Sequence, residues 1–296
     1  MQCTSPIQGW RSIEGGITQT KAKAYGDLPL TVRCGRCIGC RLERARVWAV
    51  RCVHESTLHD ENIFATLTYN DENLPYGETL DRRHVQLFFK KLRKRVPHAR
   101  FFYAGEYGET TKRPHYHALI FNWRPNDAEL HARRGGNSYY TSQKLDALWG
   151  MGLCDFSEVT FTSAAYTAGY ITKKIGGDPA QEHYQWTDES TGEIRQRTPE
   201  FQGQSLCPGI GYNWIKNNLL DVYSKDQIIL DGIPSRPPRY YDQVCEKLNP
   251  DLWKQVRQKR AKENLKPPSD PYHGTSRQMF AKNKINKQKQ TKRDLK

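Results

Sequence analysis

From residue 41 onward the apolar positions switch between two periods. Leu42, Ala45, Ala49, Cys52, Val53 and Ser56 fall on one helical stripe, which predicts a helix from Arg41 to about Leu58 with Cys52 in its core face. Ile63 to Tyr69 reads as a buried strand. Asp81 is placed to cap a helix running to about Val96. Its apolar stripe is Val85, Phe88, Phe89, Leu92 and Val96, and Pro97 stops it. Phe101–Tyr107 and Pro114–Trp123 are two further strands, and the short polar link Gly108–Arg113 predicts that they pair as a hairpin. Ser142 caps a helix to about Trp149, Cys154–Phe161 reads as a fourth strand, and Ser163 opens a helix that ends at Gly176-Gly177.

Outside that stretch the pattern weakens. Residues 1–40 are expected to be loop-rich, and 178–204 reads as an irregular excursion. Pro208-Gly-Ile-Gly211 predicts a turn before a helix at Tyr212–Leu220. Ile228–Leu230 is a short strand, and Asn249 to about Leu265 a helix.

Charge changes this picture at the C-terminal end. The chain has 296 residues and a net charge of +14, and from Lys254 to Lys296 there are 14 basic and 3 acidic residues, +11 of that total. So basic a segment with few apolar residues cannot bury a core and is expected to be partly disordered and to bind polyanions, or to serve as a solvated tail. The helix after Asp81 adds Arg82, Arg83, Lys90, Lys91, Arg93, Lys94 and Arg95 on its polar faces, a candidate DNA-contacting surface. No apolar run approaches the roughly 20 residues of a membrane span. Met1–Pro6 lacks the pattern of a secretory leader, so a reducing cytosol with free or metal-bound thiols is expected. Of the eight cysteines, Cys34, Cys37 and Cys40 crowd into seven residues. With Cys3 they make four candidate ligands of a structural zinc. The rival readings are an iron–sulfur cluster and plain reduced thiols at a helix start.

Two segments carry candidate chemistry. His115 and His117 flank Tyr116 on a strand, where residues i and i+2 share a face, so two imidazoles are presented side by side to a divalent ion. The hairpin brings Glu106 opposite them as a third ligand, with Glu109 a rival nearer the turn. The set suits Mg²⁺ or Mn²⁺ in phosphodiester chemistry. On the later helix, Ala164, Ala168, Ile171 and Ile175 form the apolar stripe, while Tyr166, Tyr170 and Lys173 lie on the other side. A tyrosine hydroxyl needs activation to act as a nucleophile, and a lysine and a metal-polarised phosphate supply it. Attack would leave a 5′-phosphotyrosine and a free 3′-OH, and two tyrosines one turn apart would let one hold an end while the other cuts. Ordinary strand histidines and surface tyrosines are the bland alternative for either segment alone.

Pro114-His-Tyr-His117 followed by Tyr166-x3-Tyr170-x2-Lys173 resembles the two-tyrosine HUH endonucleases that initiate rolling-circle replication. Cys34–Glu43, Ala65–Tyr69, Gly105–Gly108 and Pro208–Gly211 are similar to the replication initiators of small single-stranded-DNA phages of the microvirus group, especially its gokushovirus branch. The resemblance spans about residues 30–240. It implies an α+β fold, RRM-like, with a central antiparallel sheet flanked by helices and the histidine strand in the middle. It implies site- and strand-specific nicking of origin DNA, covalent attachment, and termination by ligation. His115, His117 and, less firmly, Glu106 would be metal ligands; Tyr166 and Tyr170 nucleophiles; Lys173 a helper. The expected organisation is a Cys-rich segment at 1–40, the endonuclease domain at 41–240 and a helical, basic region at 241–296. Expected partners are single-stranded origin DNA and the host helicase and polymerase, with no membrane, in the host bacterial cytoplasm. A plasmid relaxase or transposase shares this chemistry. A non-catalytic, zinc-containing DNA-binding or packaging protein is the alternative of another class.

Overall fold

In a computed structural model, residues 3–264 are described, apart from 15, 109, 170–178, 189–190 and 231. They form two compact units, one reaching Arg44 and the other spanning Ala45–Lys262.

The first unit contains a three-stranded antiparallel sheet where loops were expected. β1 (Ile7–Ser12) lies between β2 (Ile17–Thr18) and β3 (Ala24–Val32), with Ile7 opposite Val32 and a register shift after Trp10. These strands carry Gly9, Gly26 and Pro29 and do not alternate cleanly, so only their pairing reveals them. Helix α1 (Ile38–Ser56) begins three residues before its predicted start, which puts Cys40 inside its first turn.

In the second unit the helical stripe of α1 is buried as expected, with Ala45, Ala49 and Cys52 in the core. Seven strands then build one sheet: β4 (Asn62–Thr68), β5 (Arg100–Tyr107), β6 (Pro114–Phe121), β7 (Glu129–Arg134), β8 (Asn137–Thr141), β9 (Cys154–Glu158) and β12 (Phe201–Gln204). Their order is β12-β5-β6-β4-β9-β8-β7, and every neighbouring pair is antiparallel. The fold is therefore α+β around a large antiparallel sheet, with the histidine strand β6 in its interior between β5 and β4.

Strand alternation divides the work between the two faces. Tyr103, Tyr116, Ala118, Ile120, Ile63, Ala65, Leu67 and Phe156 point to one face. They pack against α2 (Arg82–Arg95) and α3 (Gln143–Trp149) through Phe88, Phe89, Leu92, Leu148 and Trp149. Phe102, Leu119, Phe121 and Phe64 point to the other face, against α1 and α4 (Phe161–Gly169), where Ala164 and Ala168 permit close approach. The caps of α2 and α3 are those expected. The Asp81 carboxylate accepts from Arg83 N–H at 2.7 Å, and the Ser142 hydroxyl from Leu145 N–H at 3.1 Å.

Elsewhere the sequence reading needs correction. β9 ends at Glu158, not Phe161, because the next residues start α4. The cap of α4 is Thr160, not Ser163: Ser163 N–H donates to Thr160 Oγ1 (3.0 Å) and Thr160 N–H to Ser163 Oγ (2.8 Å), a reciprocal capping box. The predicted end of that helix lies outside the described residues. The excursion 178–204 holds α5 (Pro179–His183), the hairpin of β10 (Gln185–Thr187) and β11 (Ile194–Gln196), and the sheet-edge strand β12. The expected helix at Tyr212–Leu220 divides into α6 (Tyr212–Asn217) and α7 (Leu219–Lys225). β13 (Ile228–Leu230) pairs with β14 (Ile233–Ser235), and α8 (Arg239–Leu248) was not anticipated. α9 (Pro250–Asn264) matches its prediction within a residue at each end. Helices α6 to α9 enclose a separate cluster around Val50, Ile215, Tyr241, Val244 and Val256, and Arg260 of α9 pairs with Asp226 and Asp242. Among the described residues no helix is long and apolar enough to cross a membrane.

Candidate active site

The hairpin of β5 and β6 sets the site. Gly108 N–H donates to the Arg113 carbonyl at 3.0 Å, and from that closure the register runs Glu106↔His115 and Ala104↔His117. On the other side of β6, His115 faces Thr68 and His117 faces Thr66, and Thr66 in turn faces Asp155 of β9. All of these side chains emerge on the sheet face that carries α1 and α4. Gly105 makes the arrangement possible from beneath: a Cβ there would lie 3.0 Å from Leu80 and 3.1 Å from the Tyr116 ring.

The three candidate ligands converge. Glu106 and His117 are buried and His115 is half-buried, and one ligand atom from each lies within 4.8 Å of the others. His115 Nε2 is 2.7 Å and His117 Nε2 3.2 Å from the same oxygen, Glu106 Oε1. The opposite nitrogen of His115, Nδ1, faces the Arg113 carbonyl at 3.1 Å, and His117 Nδ1 faces Thr66 Oγ1 at 3.4 Å. A carbonyl only accepts, so Nδ1 of His115 carries a proton, and in the neutral ring Nε2 is a bare lone pair. A lone pair 2.7 Å from a carboxylate oxygen requires a cation between them, either a proton or a metal ion. Adjacent ligands on one ion with bonds of about 2.1 Å at right angles stand about 3.0 Å apart, so the observed spacings fit a divalent cation. The electrostatics agree. Burial works to raise the Glu106 pKa, but hydrogen bonds from His115 and His117 outweigh it and leave the carboxyl below its ordinary range. Burial holds the His117 pKa down, which favours the neutral, ligating imidazole.

Tyr116, between the histidines, points to the other face and is fully buried. Its hydroxyl donates to the Asp81 carbonyl (2.7 Å), accepts from Asp81 N–H (2.9 Å) and meets the Tyr69 hydroxyl at 2.9 Å. The histidine strand is thus pinned to the N-terminus of α2.

Of the predicted tyrosine-helix residues, Tyr166 is described, while Tyr170 and Lys173 lie outside the described residues, as does the rival ligand Glu109. Ser163, Ala164, Thr167 and Ala168 are the buried positions of α4, and Tyr166 is exposed beside them. Its ring nevertheless leans onto the sheet, edge-on to His117 (centroids 5.4 Å apart) and to Phe64 (6.3 Å). The basic helix α2 packs on the sheet face away from the histidines, so its cations do not line this site. Sequence reasoning did not assign Thr66, Phe64 or Asp155 a part. The available signal was Thr66 and Thr68, polar at alternate positions of an otherwise apolar strand.

The four predicted cysteines also come together. Cys3, Cys34, Cys37 and Cys40 place their sulfurs within 4.8 Å of one another, and among the described residues they and the Glu106 set are the groups able to hold a metal. Burial works to raise the Cys37 pKa, but hydrogen bonds from Thr4 and Cys40 bring it down to about 5. Burial pushes Cys40 up to about 12. Cys52, Cys154 and Cys245 are buried outside the cluster, and Cys207 is exposed.

The family model for replication-associated protein ORF2 matches residues 62–175, a span that holds the Glu106 set and Tyr166. Replication-associated protein VP4 of Bdellovibrio phage phiMH2K is 34% identical over 265 residues, 86% of this chain and 80% of that protein. Replication-associated protein ORF2 of Spiroplasma virus 4 is 31% identical, over 90% of this chain and 88% of its own length. Replication-associated protein ORF4 of Chlamydia phage 1 is 29% identical, over 73% and 53%. No solved structure matches the chain significantly. With two relatives above 30% identity aligned over most of their own length, the chain belongs to the replication-associated proteins of small single-stranded-DNA phages.

Proposed function

We propose that the protein nicks and rejoins single-stranded origin DNA, starting and ending rolling-circle replication of a phage genome through a 5′-phosphotyrosine. The observation that carries this reading is the convergence of Glu106, His115 and His117 on one point, with the Tyr166 ring lying against His117. Those three side chains would hold a divalent ion, Mg²⁺ or Mn²⁺, which when bound withdraws charge from the scissile phosphate.

The chain's own residues do the rest. The Tyr166 oxygen bonds to phosphorus as the bond to the departing 3′ oxygen breaks. The hydroxyl proton leaves to solvent, and the 3′ oxygen takes one up. The phosphodiester is exchanged for another phosphodiester, so a later 3′-OH can reverse the step and close a circle. Tyr170 would perform the second transfer and Lys173 would lower the cost of the tyrosinate. Buried Glu106 and His117 keep the site's polar groups in place beforehand. We assign this chemistry to residues 41–240. The Cys-rich segment 1–40 precedes it, and 241–296 provides a basic helical region that strengthens DNA binding in a salt-dependent way. The work would be done in the host bacterial cytoplasm with the host helicase and polymerase.

The test is incubation with circular single-stranded phage DNA and Mn²⁺ or Mg²⁺, scored for an adduct that survives denaturation. The adduct is expected from the natural sequence, and not from Tyr166→Phe/Tyr170→Phe or His115→Ala/His117→Ala. An adduct of undiminished yield from the double tyrosine variant would end the proposal.

A further inference from the structure

We propose that Cys3, Cys34, Cys37 and Cys40 form a closed, mononuclear tetrathiolate zinc site that fastens the start of the chain to the first turn of α1, independently of the Glu106 site.

The spacing argues for one ion. Four sulfurs at the corners of a tetrahedron, each about 2.3 Å from a central zinc, stand about 3.8 Å apart. Cys3 Sγ lies 3.5 Å from Cys34 Sγ and 3.8 Å from Cys37 Sγ, and no separation in the group exceeds 4.8 Å. A cluster of iron and sulfide would sit between the thiolates and hold them farther apart. The backbone supports thiolates as well: Cys34 N–H points at Cys3 Sγ (3.3 Å), Cys37 N–H at Cys34 Sγ (3.3 Å) and Thr4 N–H at Cys37 Sγ (3.4 Å). These donors stabilise negative sulfur. The tight Cys34-Gly-Arg-Cys37 turn uses Gly35 at φ +72°, and Cys40 follows within α1. All four ligands are protein thiols, so no position is left open for a substrate, which marks a structural site.

The fold supplies a second, independent reason. β1 and β3 pair from Ile7↔Val32, which is what carries Cys3 to Cys34 across 31 residues of chain. Yet no residue of β1, β2 or β3 belongs to any of the three buried hydrophobic clusters, and Ile13, Tyr25 and Leu30 are exposed. A small sheet without a core of its own needs a staple to persist, and a metal is one of the few available in a reducing compartment.

The natural full-length chain, purified under reducing conditions, decides the matter. One zinc per chain is expected to survive dialysis. It should remain in His115→Ala/His117→Ala and be lost in Cys34→Ser/Cys37→Ser. Exchange with Co²⁺ should give the sulfur-to-cobalt charge-transfer absorption of a tetrahedral thiolate site. Chelation should raise proteolytic cleavage within residues 3–34 by about tenfold or more while cleavage of the seven-stranded sheet stays unchanged. The proposal is overturned by a chain that holds no metal and whose cluster thiols react freely in the native state. Disulfides linking these cysteines, or iron with acid-labile sulfide, would overturn it equally.

Discussion

Replacing Tyr116 with Phe separates the structural half of the histidine strand from its chemical half. The ring stays in place, and the one atom removed is a hydroxyl oxygen that donates to the Asp81 carbonyl, accepts from Asp81 N–H and meets Tyr69. Each buried hydrogen bond contributes about 1 kcal/mol net, and a stranded partner costs about 1–3 kcal/mol. Water can reach Asp81, which is half-buried, but not the fully buried position of the lost oxygen. The expected loss is therefore about 2–3 kcal/mol. It should appear in urea unfolding as a lower midpoint with an unchanged slope. His115 and His117 project to the opposite face, so Mn²⁺ affinity, measured by calorimetry on the folded variant, should stay within about twofold. The covalent DNA adduct should also still form. A stability change under about 0.5 kcal/mol would refute the clamp between β6 and α2. A tenfold loss of Mn²⁺ affinity at full folding would refute the division of the two faces.

Glu106→Gln removes the charged oxygen that both imidazoles face, and Mn²⁺ binding should weaken by about tenfold or more. Unchanged calorimetric affinity would exclude Glu106 as a ligand. His54, stacked on Trp214 and hydrogen-bonded to the Tyr241 hydroxyl, has its pKa pressed by burial to about 4 from an ordinary 6.5. The unfolded chain binds a proton that the folded one refuses. Stability from this group is thus complete above pH 6.5 and falls by about 3 kcal/mol toward pH 4. Unfolding midpoints across that window should slope in the natural protein and slope much less in His54→Gln, and equal slopes would dismiss the assignment. Gly152→Ala would place a Cβ 2.2 Å from the Thr68 carbonyl oxygen at φ +152°, prising the 151–153 segment from the end of β4. A loss of about 3 kcal/mol or more in thermal unfolding is expected, and one under about 1 kcal/mol would contradict that packing.

The elements best read from sequence are those whose local signals agree. α2 has a capping aspartate, an unbroken apolar stripe and a terminating proline, and the structure keeps all three. β5 and β6 are apolar and joined by a short polar turn, so even the pairing of Glu106 with His115 was legible. The misses have a common cause. β7, β8, β10, β11, β12 and the N-terminal sheet are short or polar strands whose partners lie elsewhere in the chain. Their hydrogen bonds, not their side chains, define them. The cap of α4 was misplaced because Thr160 and Ser163 are both good capping residues, and only their mutual hydrogen bonds tell which one opens the helix.

By itself the sequence determined which residues could act. A two-residue period must put His115 and His117 on one face and Tyr116 on the other, whatever the rest of the fold does. It also determined that Cys34, Cys37 and Cys40 sit close together, since two-residue spacers leave them little freedom to part. Only the tertiary structure decided which of those candidates meet. Sheet register brought Glu106 Oε1 to both imidazoles, the packing of Ala164 and Ala168 laid the Tyr166 ring against His117, and the pairing of β1 with β3 returned Cys3 to the cysteine loop. The physical reason is range. Alternation and helical period are properties of a few adjacent dihedral angles, whereas a ligand set drawn from separate strands depends on long-range pairing that no local pattern encodes.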